Sequence, residues 1–351
     1  MCRRTGVLRE VNRVGEGLLV TGDHGFVGAY VLDAASERFS WCAGLDRSKP
    51  ETETRPAERG TQRAINRPYA HFTADLTEPA SAKAAIEDLA STLGPPSHVL
   101  HLAAQASVGG SFRNPIATYQ ANVIGTAALL QSLADVAPQA RVLVPSSAHV
   151  YGRPDRTDGL LREAAEPNPT THYGVSKLAQ EGIARVFHES RSLSCLVTRA
   201  FNHIGPGQGL GFVVPDLARR ISVLERQGEG VLAVGNLEAR RDYLDVRDVV
   251  QAYLTILDRG EPGSVYNVAS GVSHSVEQLL DMMLAQLAPS AHIQVEQDPA
   301  LLRPVDVPIL VGDAGRLRAL GWAPSYDIRD TVRDTLDYWR RRVAEEEAGS
   351  R

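Results

Sequence analysis

Cysteine is scarce in this 351-residue chain, with three residues, Cys2, Cys42 and Cys195, at wide and uneven spacing. So few and so dispersed a set excludes a disulfide scaffold. It also shows no C-x-x-C or Cys/His ligand pattern, so no metal centre is expected. Long apolar runs are missing too. No window reaches the roughly 18 residues of a membrane helix, and Met1 to Gly17 carries scattered charge where a signal peptide needs an apolar centre. A cytoplasmic protein with no membrane partner is the expectation. Nor is there an excess of positive charge. Against 42 Asp plus Glu stand 37 Lys plus Arg, a net charge of −5, so nothing recruits nucleic acid wholesale and any phosphate must be met locally. Hydrophobic residues at 43% and charged residues at 23% are ordinary globular usage and exclude collagen-like, coiled-coil or disordered chains.

What is present is alternation. Apolar runs at Gly17–Thr21, Phe39–Leu45, Tyr69–Thr73, His98–Ala103, Arg141–Ser146 and Leu193–Arg199 read as buried strands with helical segments between them. That order predicts an α/β fold, a doubly wound parallel Rossmann sheet. Arg47 to Pro68 is polar and reads as a surface insertion. From Pro115 to Val136 apolar residues recur at Ile116, Tyr119, Val123, Ala127 and Leu130, the spacing of one amphipathic helix opened by proline. The expected division is an N-terminal tail over 1–17, a nucleotide-binding domain over 18–200 to which 245–268 returns, a smaller mixed α/β domain over 201–340, and a frayed tail over 341–351.

The first strand ends in Thr21-Gly22-Asp23-His24-Gly25-Phe26-Val27-Gly28, a glycine at every third position where a strand turns into a helix. Gly22 permits the tight turn, Gly25 the approach of backbone to a pyrophosphate, and Gly28 close helix–strand packing. The second strand ends Leu45-Asp46-Arg47. There an acid would bond ribose hydroxyls and an arginine would accept a 2′-phosphate, so NAD and NADP both fit, as does an ordinary charged strand end. Asp75-Leu76 follows the third strand, where the aspartate either meets an adenine edge or caps a helix. Further on, Tyr173 and Lys177 lie four residues apart on one helix face, and Ser147 closes the fifth strand. A lysine cation near a phenol would bring its pKa toward the working range.

Glycine loop, serine and Tyr-x-x-x-Lys in this order resemble the extended short-chain dehydrogenase/reductase superfamily. Longer stretches narrow the resemblance: His101-Leu102-Ala103-Ala104-Gln105, Asn122-Val123-Ile124-Gly125-Thr126, Phe201 to Gln208, Val234 to Asp242, Gly211 to Asp216 and Arg303 to Pro308. They are similar to the GDP-mannose 4,6-dehydratase and GDP-6-deoxy-mannose reductase group, the last two favouring its reductase branch. The resemblance implies Ser147, Tyr173 and Lys177 as catalytic residues. It implies NADP or NAD held by Gly22, Gly25, Phe26, Val27, Gly28, Asp46, Arg47, Asp75, Leu76, Leu102, Ala103 and Ala104 together with Tyr173 and Lys177. It places Gln105, Asn202, Val213, Arg241, Arg303 and Asp306 on a GDP-linked sugar.

The implied reaction is NAD(P)H-dependent reduction of the C4 keto group of a GDP-4-keto-6-deoxy-hexose to a product like GDP-D-rhamnose. One departure bears on this. Where the group's dehydratases carry a glutamate base, this chain has His149, which weakens dehydration or epimerisation and leaves histidine as the acid/base for either. A non-catalytic nucleotide-sensing protein is the reading from another class, and the joint presence of Ser147, Tyr173 and Lys177 argues against it. The resemblance also implies a homodimer through a four-helix interface.

Overall fold

Strands too apolar to alternate between core and water must be covered on both faces. The computed structural model, which describes residues 13–48, 69–153, 159–301 and 307–349, sets them side by side in one sheet. Its first six strands are β1 (Arg13–Thr21), β2 (Phe39–Asp46), β3 (Tyr69–Thr73), β4 (His98–His101), β5 (Arg141–Ser147) and β6 (Ser194–Ala200). Three strands of a second lobe come next, β7 (Asn202–Ile204), β8 (Glu229–Val234) and β9 (Arg240–Asp245), before β10 (Val265–Val268) comes back to pair with β6. The order is β3-β2-β1-β4-β5-β6-β10, with every pairing parallel. Connectivity reverses between β1 and β4, which opens a crevice at the strands' C-terminal ends.

The helices up to that point are α1 (Phe26–Ala35), α2 (Pro79–Leu93), α3 (Val108–Arg113), α4 (Pro115–Tyr119), α5 (Gly125–Val136), α6 (His172–Arg191), α7 (Val213–Gln227) and α8 (Val246–Arg259). One face of the sheet is covered by α1 and α8 through Val31, Val249, Ile256 and their neighbours. The other is covered by α2, α5 and α6 through Ile86, Leu89, Leu129, Leu133 and Ala184. Each such buried aliphatic contributes about 1.5–3 kcal/mol over an exposed one, which commits both layers to the sheet.

In the second lobe β9 pairs with β7, with β11 (Ser273–Ser275) and with β13 (Ile309–Leu310), while β8 pairs with β12 (His292–Gln297). Behind these strands α7, α9 (Val276–Leu284) and α11 (Ile328–Gly349) share a core that includes Ile221, Leu279, Met283, Val332 and Leu336, and α10 (Gly315–Ala319) packs by β10. The lobes are knotted by buried carboxylates. Asp245 caps α8 by accepting from the Arg247 N–H at 2.7 Å and accepts the Thr331 hydroxyl at 2.8 Å, while the Arg247 guanidinium grips both Asp245 and Asp334.

Three sequence expectations are corrected. β1 begins at Arg13, inside the segment expected to be a tail, because Arg13 already registers against Phe39. Residues 341–349, expected to fray, continue α11, with Val343 buried and Arg219–Glu346 and Arg226–Glu347 ion pairs at 2.9 and 2.6 Å holding the helix to α7. The single helix over 115–136 is interrupted by a π-helical segment, Gln120–Ile124. That wider turn changes which side faces inward. Of the expected stripe only Leu130 is fully buried, Ile116 is 65% exposed, and Asn122 and Thr126 are buried instead. Most of the expected surface insertion, 49–68, lies outside the described residues.

The catalytic-candidate helix α6 is fixed to β6 by Arg199, whose Nε and Nη2 donate to the Glu181 carboxylate at 3.0 and 2.8 Å; the two side chains are only 6% and 9% exposed. Replacing Arg199 with Leu strips the buried Glu181 carboxylate of its bidentate partner, so a loss of about 3–5 kcal/mol in urea unfolding is expected. The double variant Glu181→Leu/Arg199→Met should recover only part of it, because Lys177 then loses a nearby opposite charge.

Candidate active site

Where β1 ends, Gly22 turns the chain with φ +70°, and its N–H donates to the Leu45 carbonyl at 2.8 Å. A Cβ at Gly22 would strike the Ala103 nitrogen at 2.7 Å, and one at Gly28 would meet the Gly22 carbonyl at 2.5 Å. The backbone is therefore folded back on itself as tightly as it can be, in a concave turn that leads into α1. No side chain caps α1, and no acidic residue sits in its first turn. Such a helix start suits a phosphate, since its N–H dipoles point outward and nothing negative competes for them. The residues present fit a dinucleotide's pyrophosphate.

A cleft of about 560 Å³ opens from this loop along the C-terminal edge of the sheet to the second lobe. Of the predicted cofactor residues, Gly22, Gly25, Phe26, Val27, Gly28, Leu102 and Ala104 line it. Others do not. Asp46 and Arg47 close β2 outside this lining, where the Arg47 N–H donates to Asp46 Oδ1 at 2.6 Å. Asp75 accepts both the N–H and the hydroxyl of Thr77, at 2.9 and 2.7 Å, and these bonds hold its carboxyl below the ordinary range. It is used as the turn that opens α2. Leu76 belongs to the core, and Ala103 packs against that core.

On the substrate side Asn202, Val213 and Arg241 line the cleft. Gln105 is outside the lining and donates from Nε2 to the carbonyl of Ser107, which lines the cleft, at 3.0 Å. Arg303 and Asp306 lie outside the described residues.

The cleft also collects the reactive side chains. Thr171 caps α6 by accepting the Gly174 N–H at 3.0 Å, which makes His172 a helix-start residue and puts Tyr173 and Lys177 on the face that meets β5. Ser147, at the end of β5, lines the cleft with Tyr173, and its hydroxyl draws the phenol's pKa down. His149 lines the cleft beside them, its ring 5.7 Å from the Tyr173 ring and nearly edge-on to it. The Lys177 ammonium donates to the Pro145 carbonyl at 2.9 Å and stands 6.0 Å from the Tyr173 ring centre.

In the chain alone, burial dominates the electrostatics here. Burial pushes the Tyr173 phenol up, with Ser147 opposing. Burial pushes Lys177 down to about 8, with the Glu181 carboxylate opposing. In this state desolvation outweighs any lowering of the phenol by the lysine, because the ammonium gives its bond to a backbone carbonyl. A phenol so raised is held as O–H, the form able to give a proton away.

Several contributors have no site role assigned from sequence, although His101, Asn122 and His203 stand in the stretches that carry the resemblance. His101 spans Thr21 and Thr126, with ring nitrogens 2.8 and 2.9 Å from their hydroxyls, and full burial pushes its pKa down to about 3. Asn122, turned inward by the π segment, accepts from the Gln105 N–H at 2.8 Å and donates to Ser176 Oγ at 2.9 Å, tying the loop after β4 to α6. Tyr253 on α8 and Arg220 on α7 also line the cleft, and His203 stacks parallel to Phe26.

Comparison with known proteins agrees with this geometry. The family model described as GDP-mannose 4,6 dehydratase matches residues 19–335. The GDP-6-deoxy-D-mannose reductase of Pseudomonas aeruginosa is 39% identical over 277 residues, covering 78% of this chain and 88% of that protein. The GDP-6-deoxy-D-talose 4-dehydrogenase of Aggregatibacter actinomycetemcomitans is 30% identical, covering 86% and 89%. Among solved structures, that of RMD from Pseudomonas aeruginosa complexed with NADPH superposes with a TM-score of 0.75 at 32% identity, covering 93% of this chain and 99% of that one. A Rossmann sheet, a glycine cradle, a serine–tyrosine–lysine cluster and these likenesses lead to one conclusion: the chain belongs to the GDP-mannose 4,6 dehydratase family.

Proposed function

We propose that this protein reduces the C4 keto group of a GDP-4-keto-6-deoxy-hexose with NAD(P)H, giving a GDP-6-deoxy-hexose of the D-rhamnose type. The observation that carries the proposal is the buried Tyr173 phenol lining one cleft with Ser147, Lys177 and the glycine loop, in a chain whose relatives reduce or oxidise GDP-6-deoxy sugars. When bound, the reduced nicotinamide supplies the hydride for the carbonyl carbon. Every other part of the reaction falls to this chain's own groups.

The glycine loop and the start of α1 hold the diphosphate of the cofactor, and Leu102 and Ala104 flank it. Ser147 orients the substrate carbonyl by donating to its oxygen, and Tyr173 gives its proton to that oxygen as negative charge develops. The charge of Lys177 steadies the phenolate left behind. Asn202 and Arg241 face the nucleotide end of the sugar, where an arginine suits a diphosphate. His149 supports a second reading, transient C4 oxidation followed by dehydration or epimerisation, because its ring stands in the cleft against Tyr173.

The quaternary reading is a homodimer formed through α4, α5 and α6. Ile116 and Ile124 on the first rod, and Val175 and Val186 on α6, are exposed apolar residues that a four-helix interface would cover. No helix among the described residues is long and apolar enough to cross a membrane, and a cytoplasmic enzyme is the reading that accompanies the proposed reaction.

Incubation with GDP-4-keto-6-deoxy-mannose and NADH or NADPH in separate runs should show one cofactor oxidised per 6-deoxy-hexose formed. Sugar isomerisation with no net cofactor consumption would instead favour the His149 reading. Tyr173→Phe should lower turnover by about 10²–10⁴-fold while cofactor affinity, read by fluorescence titration, stays near that of the parent. Lys177 gives a test in the pH dependence of stability. Its folded pKa of about 8 lies below its ordinary 10.5, so below pH 8 both states are protonated and the cost of the buried charge is felt in full. Between 8 and 10.5 the unfolded chain binds more protons, and that cost fades. Relative to Lys177→Met, the cofactor-free protein should therefore gain stability across that window, as read by thermal unfolding; a flat or falling difference would exclude a charged, buried Lys177.

A further inference from the structure

Beside the glycine loop, outside the cleft lining, three ligand-type atoms converge. Asp23 and His24 fill the loop between Gly22 and Gly25, and His71 reaches them from β3 across β2. His24 Nε2 and His71 Nδ1 are 3.1 Å apart, and each lies 3.4 Å from Asp23 Oδ2. The triangle is close to equilateral. Tetrahedral zinc holds nitrogen and carboxylate ligands at about 2.0–2.1 Å, which sets its ligand atoms about 3.3–3.4 Å from one another. A triangle of this size matches three of the four corners of such a site.

Hydrogen bonding alone serves the cluster poorly. Two imidazole nitrogens 3.1 Å apart can share only one proton, and Asp23 Oδ2 already accepts the Tyr69 hydroxyl at 2.6 Å. The Asp23 side chain is fully buried, yet its Oδ1 has no partner among the described residues, and neither does His71 Nε2. A buried carboxylate without a cation or a full set of donors costs several kcal/mol. Space has been made for it nonetheless: any Cβ at Gly44 of β2 would collide with the Asp23 carboxylate. The His24 side chain, 31% exposed, leaves a path from solvent.

We infer that Asp23, His24 and His71 form a binding site for a zinc-type divalent cation, a clasp between the glycine loop and β3. The site stands independently of the reaction proposed above and uses none of its catalytic residues. A bound ion neutralises the buried carboxylate, takes lone pairs from both imidazoles and fixes the loop at its outer side.

The test uses the full chain, free of any affinity tag, stripped with chelator and dialysed. Calorimetric titration with Zn²⁺ near neutral pH should give one equivalent per chain, and Co²⁺ should give the visible absorption of tetrahedral coordination. His24→Ala and His71→Ala should each weaken Zn²⁺ binding at least tenfold, with the exposed His292→Ala as an unchanged control. His24→Ala lies in a part-exposed loop and keeps the test decisive if His71→Ala fails to fold. Absence of zinc uptake by the parent, or equal uptake by His24→Ala, overturns the inference. So does a His24→Ala variant that loses NADPH affinity while its zinc binding is unaltered, since the histidines would then serve the cofactor directly.

Discussion

The ammonium of Lys177 has to stay charged while kept out of water, and a line of buried groups across the fold is arranged around that demand. Pro145 offers its carbonyl, and Glu181 offers an opposite charge one helical turn away. Glu181 in turn is gripped by Arg199, whose guanidinium lies 4.8 Å over the Tyr151 ring, and the Tyr151 hydroxyl donates to Asn267 on β10 at 2.7 Å. Each link answers a desolvation cost created by the one before it. Buried charge of this kind contributes little to net stability and mainly fixes position.

A second polar network runs under the glycine loop. Thr126 donates to the Asn122 carbonyl at 2.6 Å, so toward His101 it can only accept, which places the ring proton on Nε2 and leaves Nδ1 to accept from Thr21. Gln180 on α6 also donates to Thr126. A neutral imidazole, kept so by burial, thus joins the end of β1 to the helix that carries Tyr173 and Lys177. Asn122, inside the π segment, and Thr126, four residues on, are both buried on the inner side of their helix.

How much of this is legible in the sequence depends on how local each signal is. Strands buried on both faces leave continuous apolar runs, so β2 to β6 are legible nearly to their ends, while β1 is legible only from Gly17 on. Tyr173, Lys177 and Ser147 are legible because helix spacing and a strand end dictate their placement. The π segment is not, since one extra residue in a turn leaves the apolar spacing almost unchanged while rotating the rest of the helix. The ordering of Tyr173 and Lys177 electrostatics depends on desolvation, which no spacing encodes. Asp75 carries two readings in the sequence; its bonds to Thr77, two residues on, make a turn ahead of α2, whose N-cap is Glu78. Asp23, His24 and His71 meet only because β3 lies two strands from β1, and the chain between them gives no ligand spacing.

The return of β10 has a consequence for biosynthesis. A nascent chain that has left the ribosome as far as Ala200 holds six of the seven strands, with β6 as a bare edge whose outward N–H and C=O groups have nothing to pair with. Tyr151 also lacks Asn267 at that stage. An exposed, apolar parallel edge is a template for the wrong partner. The sheet is sealed only after the three strands and two helices from Asn202 to Arg259 have been made, so the two lobes are finished together and neither can be cut away as a self-sufficient piece.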